Sequence, residues 1–450
     1  MTVIGEGAYG CVHKPSLECS DKPDMSYDGM ISKVMNKTAA NIEMKEYDVI
    51  DKIDKDKRYY LGKPEICSPK HDDITINEVD KCTWVKSKDL ANMKLLIMKD
   101  GGLNVSDYIK SNDVKSTEQI ERFFIEVHRV ILGLNVLNAN GVVHHDIKPQ
   151  NIVYNEKENR INFIDFGHMV MYDTLVDRSK HSTNTHAVLH WSFPLEMIFI
   201  NKRSYMDYAV RTQDERKGAF PQLWNHIKSH LTVLLSYINY KISDEIALER
   251  YNYIKQQYYD FIIFDITTSN YNEFLTKSIN TIDVYGMGLT LLHVLGVFKP
   301  SLDVRTFNLL YDLGMSAINP RVQLRCDVGL LLKTYESILD DSGLLVKYGL
   351  HIVNHDILPI QEPVLEPDNV FTSCSKSGRE RNIKTGRCVK KCNNGYKRDA
   401  NFNCSLIRIC PINKEINPFT KRCVATCKNN YIRNANFKCT RKSTVSQKTL

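Results

Sequence analysis

The sequence predicts an α+β chain in which strands come first and helices follow, with a small cysteine-rich module at the C-terminus. Strand-like apolar segments separated by turn signals lie before residue 98, and apolar residues recur at helical spacing in long segments after residue 120. Eight of the thirteen cysteines lie after residue 370. With 450 residues, 42% of them apolar, the chain can bury a large core and should hold two or three domains.

The distribution of charge changes near residue 370, where the cysteine content also changes. Residues 371–450 contain nineteen Lys or Arg and three acidic residues, a net charge of +16, whereas the preceding 370 residues carry 41 basic and 50 acidic side chains. The predicted boundary is 356–370, where Pro359, Pro363 and Pro367 recur among acidic residues and oppose a helix or a central strand. A cysteine-rich basic module is expected at 371–440 and a flexible tail at 441–450.

Hydropathy argues against a membrane protein. The longest apolar stretch, Met287–Phe298, has twelve residues, whereas a membrane span takes about 20. The N-terminus lacks the basic-then-apolar pattern of a signal peptide. We therefore expect a soluble protein made in the cytosol.

The N-terminal residues predict a strand, a glycine-rich turn and a second strand. Gly5, Gly7 and Gly10 would let backbone N–H groups approach an anion closely, because a Cβ would intrude there. Such a glycine string alone is weak evidence and also fits a plain turn. The following Val12, and a strand that ends at Lys33, give the string its context.

A second cluster of motifs lies in the middle of the chain. Residues 144–151 read His-His-Asp-Ile-Lys-Pro-Gln-Asn, and Asp165-Phe166-Gly167 begins fourteen residues after Asn151. The predicted helix 120–138 precedes the first motif, and the predicted strand 161–164 precedes the second. Two further motifs follow in order, Pro194-Leu195-Glu196 and Asp283-Val284-Tyr285-Gly286-Met287-Gly288. The helix is expected to bury Phe123, Val127, Val130, Ile131, Leu134 and Leu137.

In this order and spacing, the motifs resemble those of the eukaryotic-type protein kinase family over residues 1–355. The resemblance implies a bilobal fold, with a small β-rich N-lobe at 1–98, a hinge at Lys99–Gly102 and a larger helical C-lobe at 99–355. Lys148, two residues after Asp146, resembles the serine/threonine branch of that family.

The resemblance also implies a role for each site residue. Asp146 would orient and deprotonate the acceptor hydroxyl, and Lys148 would neutralise the moving phosphoryl group. Asn151 and Asp165 would hold Mg²⁺ ions that bridge the ATP phosphates. Gly5, Gly7, Gly10, Val12 and Lys33 would bind ATP. Asp283 is either a helix N-cap or a brace for the backbone of the catalytic loop.

Lys33 needs a glutamate from the helix predicted at 38–53, and two candidates lie three residues apart on it. Either Glu43 or Glu46 can reach Lys33. Glu46 is preferred because it directly precedes the Tyr47–Ile53 run, as the paired glutamate does in related kinases. Ile42, Tyr47, Ile50 and Ile53 are expected on the buried face.

Two features depart from the family pattern. His145 occupies the position where most kinases carry an Arg that pairs with a phosphorylated activation segment, and a neutral imidazole offers no bidentate fork. Between Glu196 and Asp283 lie 86 residues, many more than in a typical kinase. Helical periodicity predicts a folded pair of helices in this insertion, at about 200–278. Binding substrate, covering the site and packing on the C-lobe all stay open as its role.

The tail contains an internal repeat. The spacing Cys374-x13-Cys388-x3-Cys392-x11-Cys404 is followed by Cys410-x12-Cys423-x3-Cys427-x11-Cys439. A disulfide framework is favoured over zinc, because the tail has no CxxC pair and no histidine. The segments that end at Cys388 and Cys423 resemble a two-cysteine adaptor motif of large double-stranded DNA viruses, of the iridovirus and mimivirus type. This resemblance implies a viral kinase in the host cytoplasm or the virion.

Three functions compete on these data. The first is an active kinase that phosphorylates serine or threonine on proteins. The second is a pseudokinase scaffold, which the presence of Lys33, Asp146, Asn151 and Asp165 opposes. The third is binding of a nucleic acid, an acidic protein or a membrane surface through the basic tail, which depends on the charge of +16 alone.

Overall fold

The computed structural model of the chain describes residues 2–7, 10–83, 85–111, 115–181 and 190–360. In the tail it describes 379–381, 387–393, 396–398, 403–406, 414–417, 420, 422–428, 431–433 and 438–441. The chain divides into two compact units, Met1–Ile360 and Gln361–Leu450.

The first unit begins with a five-stranded antiparallel sheet in the order β1-β2-β3-β5-β4. The two strands predicted on either side of the glycine-rich turn, and the strand through Lys33, are thereby confirmed. The sheet and its helices consist of β1 (Thr2–Gly7), β2 (Gly10–Lys14), β3 (Met30–Asn36), α1 (Lys37–Ile53), β4 (Glu65–Cys67), α2 (Asp73–Val79) and β5 (Met93–Lys99).

Helix α1 starts where the sequence predicts but has a different buried face. The side chain of Asn36 caps its first turn by accepting a hydrogen bond from the Thr38 N–H. Its buried residues are Ala40, Glu43, Tyr47 and Ile50. Ile42, predicted to be buried, is 54% exposed, so that part of the prediction is wrong.

The second part of the first unit is mainly helical, as the sequence predicts. All six apolar residues expected on the buried face of α4 are buried. The hairpin β8-β9 joins β6 in a small sheet, and β7 pairs with β10. The elements up to the insertion are β6 (Leu103–Asn104), α3 (Val105–Lys110), α4 (Thr117–Ala139), β7 (Val142–Val143), β8 (Ile152–Asn155), β9 (Arg160–Phe163), β10 (Val170–Met171) and α5 (Tyr172–His181).

The two helices predicted in the insertion are confirmed. Their apolar residues join one buried cluster with α10, the helix that begins beside Asp283. The remaining helices of the unit are α6 (Lys202–Ala209), α7 (Gln213–Ile238), α8 (Asp244–Ile263), α9 (Tyr271–Asn280), α10 (Ile282–Phe298), α11 (Val304–Ala317), α12 (Val328–Asp341) and α13 (Leu344–Lys347).

The first residues of the predicted linker are a strand rather than a connection. β11 (Leu350–Val353) and β12 (Asp356–Pro359) form a hairpin whose turn residues Asn354 and His355 have positive φ, as tight hairpins require. Pro359 lies at the end of its strand, where proline is tolerated. Residues 361–370 of that linker lie outside the described residues.

The described parts of the second unit are four short hairpins, two in each copy of the repeat. Disulfides join Cys392 to Cys404 and Cys427 to Cys439, equivalent pairs in the two copies, and Cys388 is also disulfide-bonded. Cys374, Cys410 and the predicted tail 441–450, apart from Arg441, lie outside the described residues. The strands are β13 (Arg379–Arg381), β14 (Cys388–Lys390), β15 (Tyr396–Arg398), β16 (Cys404–Leu406), β17 (Lys414–Ile416), β18 (Cys423–Ala425), β19 (Tyr431–Arg433) and β20 (Cys439–Arg441).

Across the described residues, no individual helix combines the length and the hydropathy needed to cross a membrane. Only α9 and α10 taken together meet that test, and the chain bends by 44° between them.

Candidate active site

The ammonium of Lys33 lies between two carboxylates. Its Nζ donates to both oxygens of Glu43, at 3.0 and 2.7 Å, and lies 3.6 Å from Oδ1 of Asp165. Burial acts to lower the pKa of Lys33, but the charges of Asp165 and Glu43 outweigh it and raise the pKa. Lys33 is therefore charged at neutral pH, and it joins β3, α1 and the Asp165 segment.

The preference for Glu46 as the partner of Lys33 is wrong. Glu43 lies on the buried stripe of α1, together with Ala40, Tyr47 and Ile50. One turn later, Oε2 of Glu46 is buried without a hydrogen-bond partner. Burial, with the nearby charges of Glu43 and Asp165, raises the pKa of Glu46 to about 7.

The catalytic-loop motif brings Asp146, Lys148 and Asn151 together. Lys148 Nζ donates to Oδ2 of Asp146 at 2.7 Å, and Asn151 Nδ2 donates to the same oxygen at 2.7 Å and to the Asp146 carbonyl at 2.9 Å. The backbone N–H of Ile164 donates to the Asn151 carbonyl at 3.0 Å. The strand before Asp165 is thereby fixed to the loop that carries Asp146.

Asp283 braces this loop, as one of its two predicted roles required. Its two carboxylate oxygens accept the backbone N–H groups of His144 and His145, each at 2.8 Å. Burial raises the pKa of Asp283 to about 6, although these two hydrogen bonds act to lower it. Gly286, one turn later in α10, allows the helix to come close, since a Cβ there would lie 2.1 Å from the Ile147 carbonyl oxygen.

An aromatic column connects α1 to the catalytic loop. Phe166 packs edge-on against Tyr47, with ring centroids 5.4 Å apart, and against the ring of His144 at 5.3 Å. Tyr60 contacts Phe166 from another side at 6.1 Å. The helix that carries Glu43 and the segment that carries Asp165 therefore share one packed core.

His145 lies in an apolar setting. Its ring packs against Phe193 with centroids 5.0 Å apart, and its Nε2 is buried without a hydrogen-bond partner. Burial, helped by the nearby His168, lowers the pKa of His145 to about 4. The imidazole is neutral at physiological pH and offers no positive charge to a phosphate.

Glu196 of the Pro-Leu-Glu motif forms a buried pair that the sequence did not reveal. Its oxygens accept from Nη1 and Nη2 of Arg325 at 2.6 and 2.9 Å, and both side chains are fully buried. The same guanidinium donates to the Asn319 carbonyl and to Thr281 Oγ1. This pair anchors the Pro194-Leu195-Glu196 motif to the helical part of the first unit. Only the resemblance of the motif could have indicated Glu196, and nothing local marks Arg325.

The glycine-rich residues form the β1-β2 hairpin over which Gly5, Gly10 and Val12 are distributed. Gly7 ends β1, and residues 8 and 9 of the turn lie outside the described residues. Two disulfides tie this region down: Cys11 on β2 is bonded to Cys82, and Cys19 is bonded to Cys67 on β4. The sequence did not predict these bonds, because their partners are 71 and 48 residues apart without a repeat.

The residues present fit the nucleotide and the metal that the motifs imply. Asn151 uses its amide nitrogen towards Asp146, and within the described parts of the chain no hydrogen bond to its Oδ1 is found. Together with the carboxylate of Asp165 this is an oxygen donor set, the kind that Mg²⁺ prefers. Lys33 lies beside Asp165, where it can meet phosphate oxygens.

Comparison with known proteins agrees with this geometry. Residues 1–206 match the family model described as the protein kinase domain. Mitogen-activated protein kinase 14 of Xenopus laevis is 27% identical over 168 residues, which cover 37% of this chain and 40% of the relative. Serine/threonine-protein kinase SBK1 of Danio rerio is 32% identical over 128 residues, which cover 22% of this chain and 33% of the relative. The chain thus spans less than half the length of these curated relatives. Residues 1–206 are thus similar in sequence to a protein kinase domain, and they belong to a unit with a β-sheet N-terminal part and a helical C-terminal part.

Proposed function

We propose that the chain is an active kinase that transfers the γ-phosphate of ATP to serine or threonine hydroxyls of proteins. The observation that carries the proposal is the simultaneous presence of the Lys33–Glu43 ion pair and the Asp146–Lys148–Asn151 cluster. A pseudokinase would have no need to keep both.

Each group has a task in this proposal. Asp146 accepts and orients the acceptor hydroxyl, and Lys148, 2.7 Å away, offsets charge on the transferred group. Lys33, Gly5, Gly7, Gly10 and Val12 bind and orient ATP. When bound, Mg²⁺ held by Asn151 and Asp165 neutralises phosphate charge. The similarity to two serine/threonine kinases and the position of Lys148 support a serine/threonine acceptor.

Phosphorylation of a generic protein substrate by the purified chain tests the proposal, with Asp146→Asn as the matched variant. We expect turnover to fall by a factor on the order of a thousand, because the group that orients the hydroxyl is lost. ATP binding should change little, since Asp146 faces the acceptor and not the nucleotide. Full activity of the variant would refute the assignment.

We further propose that the tail is a targeting adaptor of a viral kinase. The support is its charge of +16, its duplicated cysteine pattern and its resemblance to viral adaptor motifs. Disulfides are uncommon in cytosolic proteins, so the bonds in both units favour a virion or another oxidising setting over host cytoplasm. Its partner would be an acidic protein, a membrane surface or a nucleic acid.

Deletion of residues 361–450 tests the adaptor proposal. Phosphorylation of a small generic substrate should persist, whereas association with an anionic partner should be lost. In the intact chain that association should weaken steeply with salt, because each neutralised anion releases counterions. Binding that does not respond to salt would contradict the adaptor model.

A further inference from the structure

The insertion reaches the catalytic loop at the last turn of α7. The Nε2 of Gln150 donates a hydrogen bond to the hydroxyl of Tyr237 at 2.7 Å. Gln150 directly precedes Asn151, whose amide is bonded to Asp146. Tyr237 is therefore one hydrogen bond away from the loop that carries the proposed catalytic base.

Tyr237 also contacts the residues that lead into the Pro194-Leu195-Glu196 motif. Its ring is stacked on that of Trp191, with centroids 4.3 Å apart and planes 5° apart. Trp191 lies three residues before Pro194, in the stretch anchored through Glu196 and Arg325. Tyr237 thus contacts both the loop that carries Asp146 and the segment that leads into Glu196.

Residues of α10 hold the last turn of α7 in place. The carbonyl oxygen of Tyr237 accepts a hydrogen bond from Nδ1 of the buried His293 at 2.8 Å, and Nε2 of His293 lies 3.4 Å from Ser106 Oγ. Gly296, one turn further along α10, admits the chain after α7, because a Cβ there would lie 2.3 Å from the Tyr240 carbonyl oxygen. Tyr237 and Tyr240 therefore form an aromatic surface, called the wall below, whose backbone packs against α10.

Two exposed lysines line the same wall. Lys110 Nζ lies 5.5 Å from the ring centroid of Tyr237 and 5.7 Å from that of Tyr240, and Lys241 Nζ lies 5.8 Å from the centroid of Tyr240. Among the described residues, neither lysine has a carboxylate within 4 Å. Asp107, on the same helix as Lys110, is bonded instead to the Asn104 amide.

Within the part of the chain that the structure describes, the wall combines positive charge and aromatic surface, and no carboxylate pairs with either lysine. Asp244 and Glu245 begin α8 just after Lys241 but form no ion pair with it. The catalytic loop contributes the neutral Gln150 to the wall. An anionic group laid on this surface would gain charge-assisted contacts without displacing an existing ion pair.

We propose that Lys110, Lys241, Tyr237 and Tyr240 form a subsite for an acidic side chain of the acceptor polypeptide, a few residues from the phosphorylated hydroxyl. The proposal rests on the kinase function proposed above and names its substrate class. A phosphate already present on the acceptor offers the same anionic oxygens as a carboxylate. The insertion would then be a specificity element.

The test measures kcat/KM of the full chain on peptides that differ only beside the acceptor serine. Four versions carry Asp, phosphoserine, Ala or Lys at positions two to four residues from that serine. We expect the anionic peptides to exceed the alanine peptide by roughly fivefold, the range of two exposed charge pairs, and the lysine peptide to be poorest. Comparison of Asp with phosphoserine identifies the preferred source of the anion.

The double variant Lys110→Glu/Lys241→Glu should reverse the order, with the lysine peptide becoming the best. A matched control is Lys299→Glu, because Lys299 also lies over an aromatic ring, that of Phe307 at 5.2 Å, but outside this wall. The control should keep the wild-type order. Equal kcat/KM of wild type on all four peptides would overturn the subsite while leaving the kinase proposal intact. Absence of phosphorylation of any protein or peptide would overturn the kinase proposal itself.

Discussion

Both carboxylate oxygens of Glu43 accept hydrogen bonds from Lys33, whereas Glu46, one turn further along the same helix, leaves Oε2 buried without a partner. The pair is nearly buried, with side-chain exposures of 16% for Lys33 and 6% for Glu43. Removing one partner of such a pair leaves the other charge uncompensated.

We therefore expect Glu43→Gln to reduce kcat/KM for ATP by about a hundredfold, equivalent to roughly 3 kcal/mol of transition-state stabilisation, because Lys33 loses the carboxylate that holds it in place. Glu46→Gln is the matched control, because it makes the same chemical change one turn away. It should keep activity within a few-fold of wild type. Steady-state kinetics with ATP as the varied substrate compares kcat/KM of the two variants. A larger loss in Glu46→Gln than in Glu43→Gln would refute the Lys33–Glu43 pair.

The choice between Glu43 and Glu46 as the partner of Lys33 could not be made from the sequence alone. Glu43 and Glu46 are three residues apart and therefore fit the same helical face. The position of Ile42 predicted a buried face of α1 that differs from the one in the structure. Which face of α1 is buried depends on its contacts with the sheet and with Phe166. Phe166 is far from α1 in the chain, so the sequence around α1 does not reveal these contacts.

Contacts between residues close together in the sequence were predictable, as those among Asp146, Lys148 and Asn151 illustrate. The stripe of α4 was predictable as well, because its periodicity is long and regular. Pairs joined only by tertiary structure were not: Glu196 and Arg325 are 129 residues apart, and Cys11 and Cys82 are 71 apart. No local signal marks such partners.

Loss of the carboxylate of Asp165 should affect nucleotide binding as well as turnover. Asp165→Ala removes a proposed metal ligand, and it also removes a neighbour of Lys33. We expect Mg²⁺-dependent ATP affinity to fall at least tenfold in the variant, as is typical when a metal ligand or its support is lost. Titration with a fluorescent nucleotide, with and without Mg²⁺, measures this. An affinity that stays Mg²⁺-dependent and unchanged would exclude Asp165 as a ligand.

Activity should not require phosphate on the activation segment. The neutral His145 gives a phosphate no cationic partner, and its ring is packed on Phe193. The candidate acceptors are Ser179, which is buried, and Ser182, Thr183 and Thr185, which lie outside the described residues. Phosphatase-treated enzyme should start at full rate. A lag that shortens with enzyme concentration would instead indicate activation in trans.

The titration of His293 should destabilise the first unit as the pH falls from 6.5 to 4. Burial lowers the pKa of His293 to about 4, so the unfolded chain takes up a proton in this range that the folded chain does not. The stability gained from the neutral histidine is complete above pH 6.5 and is lost as the pH falls towards 4. One such group contributes a slope of up to about 1.4 kcal/mol per pH unit.

His293→Gln should reduce that slope in denaturant unfolding curves recorded from pH 7 to 4.5, even though loss of its hydrogen bonds lowers stability at pH 7. The exposed His71, replaced by Asn, is the control and should leave the slope unchanged. An undiminished slope in His293→Gln would show that His293 does not contribute to it.

The two disulfides beside the glycine-rich hairpin should stabilise the N-terminal sheet. They close loops of 71 and 48 residues, for which the chain-entropy model gives roughly 4 kcal/mol each. Paired replacement Cys11→Ser/Cys82→Ser should therefore lower the free energy of unfolding by several kcal/mol and weaken ATP binding, because Cys11 directly follows Gly10 on β2. Cys326→Ser is the control, since Cys326 is buried and free.

Peptide mapping without reduction decides the chemical state of these cysteines. Peptides that link Cys11 to Cys82 and Cys19 to Cys67 are expected. The alternative is a metal site, because Cys11, Cys82 and His13 bring their ligand atoms within 4.8 Å of one another. Free thiols together with zinc released by a chelator would favour that site, since thiolate and imidazole are the usual zinc ligands. A chain with linked peptides and no bound zinc would establish the disulfides.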